Sequence, residues 1–174
     1  ERIAATQTLG QASEVIFMLL MPFFFARLGV KWMLVVGMGA WVLRYVLFAL
    51  AAPGAVFWMI VIGILLHGIC YDFFFVTGQI YVDKKSTPGV RGQAQGFLVL
   101  VTYGVGMLIG AQIAGNVYNR FLAGAPSLTL DQWRSFWMLP AGFAAAVLVL
   151  FAILFHERTP AQSPATTPTT VPAA

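Results

Sequence analysis

Four ionisable side chains lie inside long apolar stretches of this sequence: Glu14, Arg44, His67 and Asp72. A charge in hydrocarbon is costly, so such residues are usually paired or take part in function. Two carboxyl groups, a guanidinium and an imidazole could bind a polar solute, transfer a proton or neutralise one another. These four residues are therefore the first candidates for a functional site.

The composition indicates that the surroundings of these residues are a lipid bilayer. The chain has 174 residues, of which 60% are hydrophobic and 9% charged, and its mean hydropathy is +0.84. A soluble domain carries roughly 25% charged residues, so most of this exterior must face lipid. The single Cys70 excludes an internal disulfide, and two histidines in all argue against a metal centre. A net charge of +4 reflects membrane topology, and no nucleic-acid partner is expected.

Five stretches are long enough to cross a bilayer, which takes about 20 mostly apolar residues. The predicted spans are residues 3–26, 31–52, 55–82, 93–118 and 134–155. Breaker-rich turns such as Leu28-Gly29-Val30 separate them. We therefore predict an all-α membrane protein, with a polytopic transmembrane bundle of about five helices in residues 1–156. Residues 157–174, rich in Pro, Thr and Ala, are predicted to form a disordered cytoplasmic tail.

The distribution of Lys and Arg predicts the orientation, because cationic loops remain in the cytoplasm. One side of the predicted bundle carries six of them: Arg27, Lys31, Lys84, Lys85, Arg91 and Arg158. The other side carries three: Arg2, Arg120 and Arg134. We place the first side in the cytoplasm, and the helical spans predict a multi-pass protein of the inner membrane. Five spans and a first residue Glu1 lead us to expect the C-terminal piece of a larger membrane protein.

Polar residues around Glu14 share one helical face. Gln7, Gln11 and Glu14 follow the i, i+4, i+7 spacing that aligns side chains along a helix. Two amides and a carboxylate offer donors and acceptors to a polar organic molecule. An interhelical hydrogen-bond seam is the alternative, which we favour for Gln7 near the membrane surface. For Gln11 with Glu14 we favour a substrate cavity.

Glu14 and Arg44 also allow a structural interpretation. The two residues enter the bilayer from opposite sides and reach similar depths. Intramembrane charges usually pair, so an ion pair between Glu14 and Arg44 would neutralise both. Such a pair could be structural and functional at once.

The third predicted span carries a second cluster of candidates. His67 and Tyr71 are four residues apart and share a face, whereas Asp72 is turned about 100° from Tyr71. An intramembrane histidine more often forms an interhelical hydrogen bond than binds a ligand. The proximity of Asp72 brings these two interpretations of His67 closer in weight. Burial disfavours the charged form of a carboxyl group, so Asp72 or Glu14 could take up and release protons. A proton-coupled carrier needs that property.

Motifs along residues 7 to about 155 resemble those of the nucleoside:proton symporter family of the major facilitator superfamily, whose members have twelve helices. The matching segments are Gln11-Ala12-Ser13-Glu14, Pro22-Phe23-Phe24, Ala40-Trp41-Val42-Leu43-Arg44-Tyr45, Gly68 with Tyr71-Asp72-Phe73-Phe74, Val82-Asp83-Lys84 and Arg91-Gly92-Gln93-Ala94-Gln95-Gly96. Their order and spacing match the last five helices of such a transporter. The resemblance implies that the chain is part of the C-terminal half of a major facilitator fold.

The resemblance also implies roles for particular residues. Gln11 and Glu14 would contact the nucleoside, as would Tyr71, and Asp72 would be required for transport as a candidate for proton coupling. His67 stands where the family can have Tyr, and as a titratable ring it could alter substrate preference or join the proton path. The expected activity is proton-driven nucleoside uptake by alternating access, without a cofactor besides the coupling proton. Further substrate contacts would come from the missing N-terminal half.

Other functions remain open at this stage. The same fold could carry another polar solute, such as a sugar or drug, and binding without flux would favour a non-transporting sensor. A membrane-embedded enzyme would need a cluster of metal ligands or a comparable catalytic constellation. With His67 and His156 as the two histidines, we predict no metal site and no enzyme.

Overall fold

The chain folds into a bundle of helices. The computed structural model describes residues 2–156, with side chains from Thr6 onward, so the predicted tail lies outside the described residues. The helices are α1 (Arg2–Gly54), α2 (Phe57–Tyr71), α3 (Thr77–Lys85), α4 (Arg91–Val99), α5 (Met107–Leu122) and α6 (Leu130–Leu154). Two π-helical segments, Asp72–Val76 and Leu100–Gly106, join α2 to α3 and α4 to α5.

The helices are membrane-spanning by length and composition. Within the described chain, four are long and apolar enough to cross a bilayer: Thr6–Gly54, Phe57–Lys85, Arg91–Leu122 and Leu130–Leu154. The first has 49 residues, which would extend about 74 Å as a straight helix and so exceeds one crossing of a hydrocarbon core about 30 Å thick.

A break at Gly29 resolves this mismatch of length. Gly29 has φ 67° and ψ 177°, a backbone conformation that residues with a Cβ avoid. It divides α1 into a first arm, residues 2–28, and a second arm, residues 30–54. The break lies inside the predicted Leu28-Gly29-Val30 turn, so the two arms correspond to the first two predicted spans.

The two arms of α1 lie side by side. Glu14 and Arg44 are each 15 residues from Gly29, so a straight helix would place them about 45 Å apart. His67 of α2 nevertheless contacts both side chains, at 3.8 Å and 2.8 Å. The chain therefore folds back at Gly29 and brings Glu14 and Arg44 to the same histidine.

The arms of α1 form the centre of the packing. Helices α2 and α6 pack against α1, and a buried cluster of Met21, Met33 and Phe73 joins the two arms to the first π-helical segment. Residues 91–122 pack loosely by comparison, with none of their most apolar stretch buried. Gly92, Gly96 and Gly110 of this helix have open space around them, since a Cβ added there would meet none of the described residues. These three positions are therefore not in close contact with the part of the chain that the structure describes.

Candidate functional site

The site is built where the first arm of α1 crosses α2. The Ser13 hydroxyl donates to the Gly10 carbonyl at 2.7 Å and accepts from the Gly68 backbone N–H at 3.1 Å. A Cβ on Gly68 would lie 2.6 Å from the Ser13 carbonyl carbon and oxygen, so the two backbones are in direct contact. Because Ser13 precedes Glu14 and Gly68 follows His67, this crossing places those two side chains next to each other.

Three side chains from three helical segments meet beside the crossing and form what we call the polar junction: Glu14, Arg44 and His67. A guanidinium nitrogen of Arg44 donates to His67 Nδ1 at 2.8 Å, and His67 Nε2 lies 3.8 Å from Glu14 Oε2. Arg44 is thus joined to Glu14 through His67. Among the described residues, the structure shows no direct ion pair between Glu14 and Arg44; the imidazole of His67 lies between the two side chains instead.

Aromatic rings hold the Arg44 end of the polar junction. The guanidinium lies 5.5 Å from the ring centroids of both Trp41 and Phe48, within the range of cation–π attraction. Its Nε is buried and has no hydrogen-bond partner among the described residues. These ring contacts hold the guanidinium at the place from which it donates to His67.

The Glu14 end of the polar junction opens onto an exposed polar face. Gln7 and Gln11 are exposed on the same side of the first arm, and the side chains of Glu14 and His67 are 25% and 30% exposed. The structure therefore brings Gln11, Glu14 and His67 together on one accessible surface. A polar solute could reach the amide and the carboxylate there.

A row of aromatic rings continues this surface. The rings of His67 and Tyr71 are 5.9 Å apart, those of Tyr71 and Phe75 5.3 Å, and those of Phe75 and Tyr103 5.3 Å. Tyr103 also donates its hydroxyl to that of Tyr71 at 2.7 Å. Phe75 and Tyr103 lie in the two π-helical segments and were not predicted as site residues. Their one sequence signal is the presence of rings in helices of a transporter-like chain, which is too common to single them out.

Asp72 differs from the other candidates because it is fully buried. Its exposed fraction is 0%, and neither carboxyl oxygen has a hydrogen-bond partner among the residues that the structure describes. It begins the first π-helical segment, and its backbone carbonyl accepts from the Thr77 hydroxyl at 3.3 Å. An ionised carboxylate without partners in such a place is costly. The geometry therefore suits the neutral, protonated form of this acid.

Comparisons with known proteins identify relatives of the chain. Residues 2–160 match the family model described as nucleoside H+ symporter. The Escherichia coli (strain K12) protein YegT is 39% identical over 155 residues, which cover 86% of this chain and 36% of YegT. The nucleoside permease NupG of the same organism is 31% identical over 159 residues, covering 88% of this chain and 37% of NupG. The xanthosine permease of the same organism is 30% identical over 145 residues, which cover 83% of this chain and 34% of the permease.

The fold is also that of a solved relative. A crystal structure of nucleoside transporter NupG matches with a TM-score of 0.77 and 29% identity, covering 88% of this chain and 38% of that structure. The predicted major facilitator architecture is confirmed by this likeness, and the chain is a multi-pass membrane protein. It spans little more than a third of the length of the relatives that it matches. The chain belongs to the nucleoside H+ symporter family.

Proposed function

We propose that the full-length protein takes up nucleosides with protons across the cytoplasmic (inner) membrane by alternating access. The observation that carries this proposal is the polar junction, in which a carboxylate, an imidazole and a guanidinium meet within a largely apolar bundle. Family membership and the names of the relatives, nucleoside and xanthosine permeases, support nucleosides as the substrate class. This chain would supply one wall of the cavity, and the N-terminal half of the same protein the other.

The exposed face offers what a nucleoside needs. Ribose hydroxyls can donate hydrogen bonds to the Glu14 carboxylate. The Gln11 amide can both donate to and accept from a base edge. The ring of Tyr71, between His67 and Phe75, offers a surface on which a base can stack. Acceptors, an amide and a stacking ring thus lie along one side of the first arm and α2.

Proton coupling is assigned to the two intramembrane acids. Asp72 is fully buried without partners for its carboxyl oxygens among the described residues, so its charge state and the packing around it depend on each other. Uptake of a proton would favour the packing seen here, and release would favour another. Glu14, in contact with the substrate, would be a second group that takes up and releases the coupling proton. The proton is the coupling ion, and no cofactor is required.

Substitutions on the exposed face should weaken nucleoside binding in a graded way. Glu14→Gln removes the carboxylate, and because a hydrogen bond to a charged group contributes about 1.5–3 kcal/mol, affinity should fall about 10- to 100-fold. Gln11→Ala should lower affinity about 5-fold, the loss of one neutral hydrogen bond. Equilibrium binding of uridine and adenosine to the purified full-length protein measures both effects.

Gln7→Ala is the matched control for Gln11→Ala. Both amides are exposed and lie on the same helical face, but Gln7 is one turn further from Glu14. Affinity should therefore change less than about twofold in Gln7→Ala, since an exposed substitution away from the substrate removes no contact. Equal losses in the two variants would contradict the assigned position of the nucleoside.

The same binding experiment tests the substrate class. At least one of uridine and adenosine should bind and be displaced by other nucleosides, while sugars at equal concentration should leave its binding unchanged. Binding of sugars or other polar solutes in place of nucleosides would contradict the proposal and retain only the carrier fold. Binding of nucleosides without any flux in proteoliposomes would indicate a sensor.

A further inference from the structure

The hydrogen-bonding pattern of the polar junction determines which nitrogen of His67 carries the proton. Arginine offers only donors and stays protonated in proteins, so a nitrogen 2.8 Å from it must accept. His67 Nδ1 is therefore unprotonated, and the neutral ring carries its hydrogen on Nε2. That N–H lies on the Glu14 side, with Nε2 3.8 Å from Oε2. This distance is longer than a hydrogen bond. A small side-chain shift would nevertheless let the Nε2 N–H donate to the Glu14 carboxylate.

Both ring nitrogens of His67 are thereby directed at protein groups. Nδ1 accepts from Arg44 and is not available to a nucleoside, and Nε2 faces the Glu14 carboxylate at 3.8 Å. We infer that His67 is a positioning residue: it links the fixed Arg44 to Glu14 and so orients the carboxylate that accepts from the substrate. The inference rests on the proposed function for the role of Glu14, but the hydrogen-bond pattern of the junction does not depend on the substrate.

The surrounding packing makes such positioning effective. Arg44 is held between the Trp41 and Phe48 rings, and the Ser13–Gly68 crossing sets the distance between His67 and Glu14. A glutamate on an otherwise open helix face has several rotamers, and orienting it before the substrate arrives reduces the entropy lost on binding. The junction therefore increases affinity without adding a contact to the substrate.

Two substitutions separate positioning from a direct contact. Glutamine supplies an acceptor and a donor at the end of one side chain, so His67→Gln can keep both the link to Arg44 and the link to Glu14. Phenylalanine keeps a ring of similar size and removes both links. We expect His67→Gln to retain nucleoside affinity within about threefold and His67→Phe to lose about tenfold, the range for one or two hydrogen bonds.

The hydrogen position is tested first, by 15N NMR of the full-length protein labelled at histidine. The His67 signals are assigned by their loss in His67→Gln, and an unprotonated ring nitrogen is distinguished from an N–H by its chemical shift. We expect Nδ1 to be unprotonated and Nε2 to carry the hydrogen at neutral pH. In Arg44→Met, the chemical shifts of the two ring nitrogens of His67 should change. The opposite tautomer, or a doubly protonated ring, would overturn the inference. This measurement needs no nucleoside.

A double-mutant cycle with Glu14→Ala then tests the route of the effect. Residues that act through one another are non-additive, whereas independent contacts multiply their losses. We expect the double variant of His67→Phe and Glu14→Ala to bind nucleosides as weakly as Glu14→Ala alone. A further tenfold loss in the double variant would show a direct substrate contact and overturn the positioning role.

Controls keep the two proposals distinguishable. If the wild-type protein binds no nucleoside, the proposed function fails and with it the role of His67 in binding, whereas the NMR result still decides the hydrogen-bond pattern at His67. If His67→Phe does not fold, judged by size-exclusion profile and thermal unfolding, the cycle is made with His67→Leu, and the retained affinity of His67→Gln supplies the second test. Affinity lost equally in His67→Gln and in the apolar variants would contradict the inference.

Discussion

Asp72→Asn is expected to abolish proton-driven accumulation of nucleosides while exchange across the membrane continues. Asparagine keeps the shape of the protonated acid in a place that is 0% exposed, but it cannot release a proton. With one proton moved per nucleoside, a gradient of about one pH unit supports about tenfold accumulation. In the variant the internal concentration should rise only to the external one, because the gradient no longer acts on the carrier.

Proteoliposomes separate the two activities of Asp72→Asn. Counterflow, with nucleoside on both sides, needs no net proton movement and should persist, whereas accumulation with an inward proton gradient should be lost. Asp131→Asn is the matched control, since Asp131 is an exposed acid in the first turn of α6. It should accumulate nucleosides as the wild type does. Undiminished accumulation by Asp72→Asn would rule out Asp72 as the coupling group.

Gly68→Ala is expected to have the largest effect on the integrity of the site. The added Cβ would lie 2.6 Å from the Ser13 carbonyl carbon and oxygen and 2.7 Å from the Glu14 backbone nitrogen. These are backbone atoms, which cannot rotate away, so the first arm and α2 must separate. Overpacking of this kind costs about 1–3 kcal/mol or more, and it would also move His67 away from Glu14. Nucleoside binding should fall at least about tenfold, together with the unfolding temperature.

Gly78→Ala provides the comparison on the same continuous helix. A Cβ at Gly78 has open space around it, so the same change of residue should leave binding and thermal unfolding unaltered or slightly improved. Both variants are measured by equilibrium nucleoside binding and thermal unfolding of the full-length protein. Wild-type behaviour of Gly68→Ala would mean that the two helices are not in backbone contact there.

Much of the architecture could be predicted from the sequence, because bilayer thickness and apolar run length are directly related. The break at Gly29 lies in a predicted turn, and Glu14 and Arg44 lie at equal distances from it along the chain. The crossing between the first arm of α1 and α2 could not be predicted from the sequence in the same way. The contact of Gly68 with Ser13 depends on how two helices rotate against each other, and the periodicity of one helix does not determine that.

The candidate site could be predicted as a set of residues but not as an arrangement. Intramembrane charge alone marks Glu14, Arg44, His67 and Asp72, since each is costly in hydrocarbon. That His67 lies between Arg44 and Glu14 depends on side-chain geometry across three helical segments. Tyr103 reaches Tyr71 from a π-helical segment. No residue pattern in a single sequence indicates such a local change of helical register.

The most direct test of the central claim is uptake of radiolabelled uridine and adenosine into proteoliposomes that contain the full-length protein. The preparation is first shown to be folded by its size-exclusion profile and cooperative thermal unfolding. With an inward proton gradient, the wild type should accumulate at least one nucleoside above the external concentration, and a protonophore should return it to equilibrium. Accumulation that ignores the protonophore would contradict proton coupling, and no uptake of either nucleoside would contradict nucleoside transport itself.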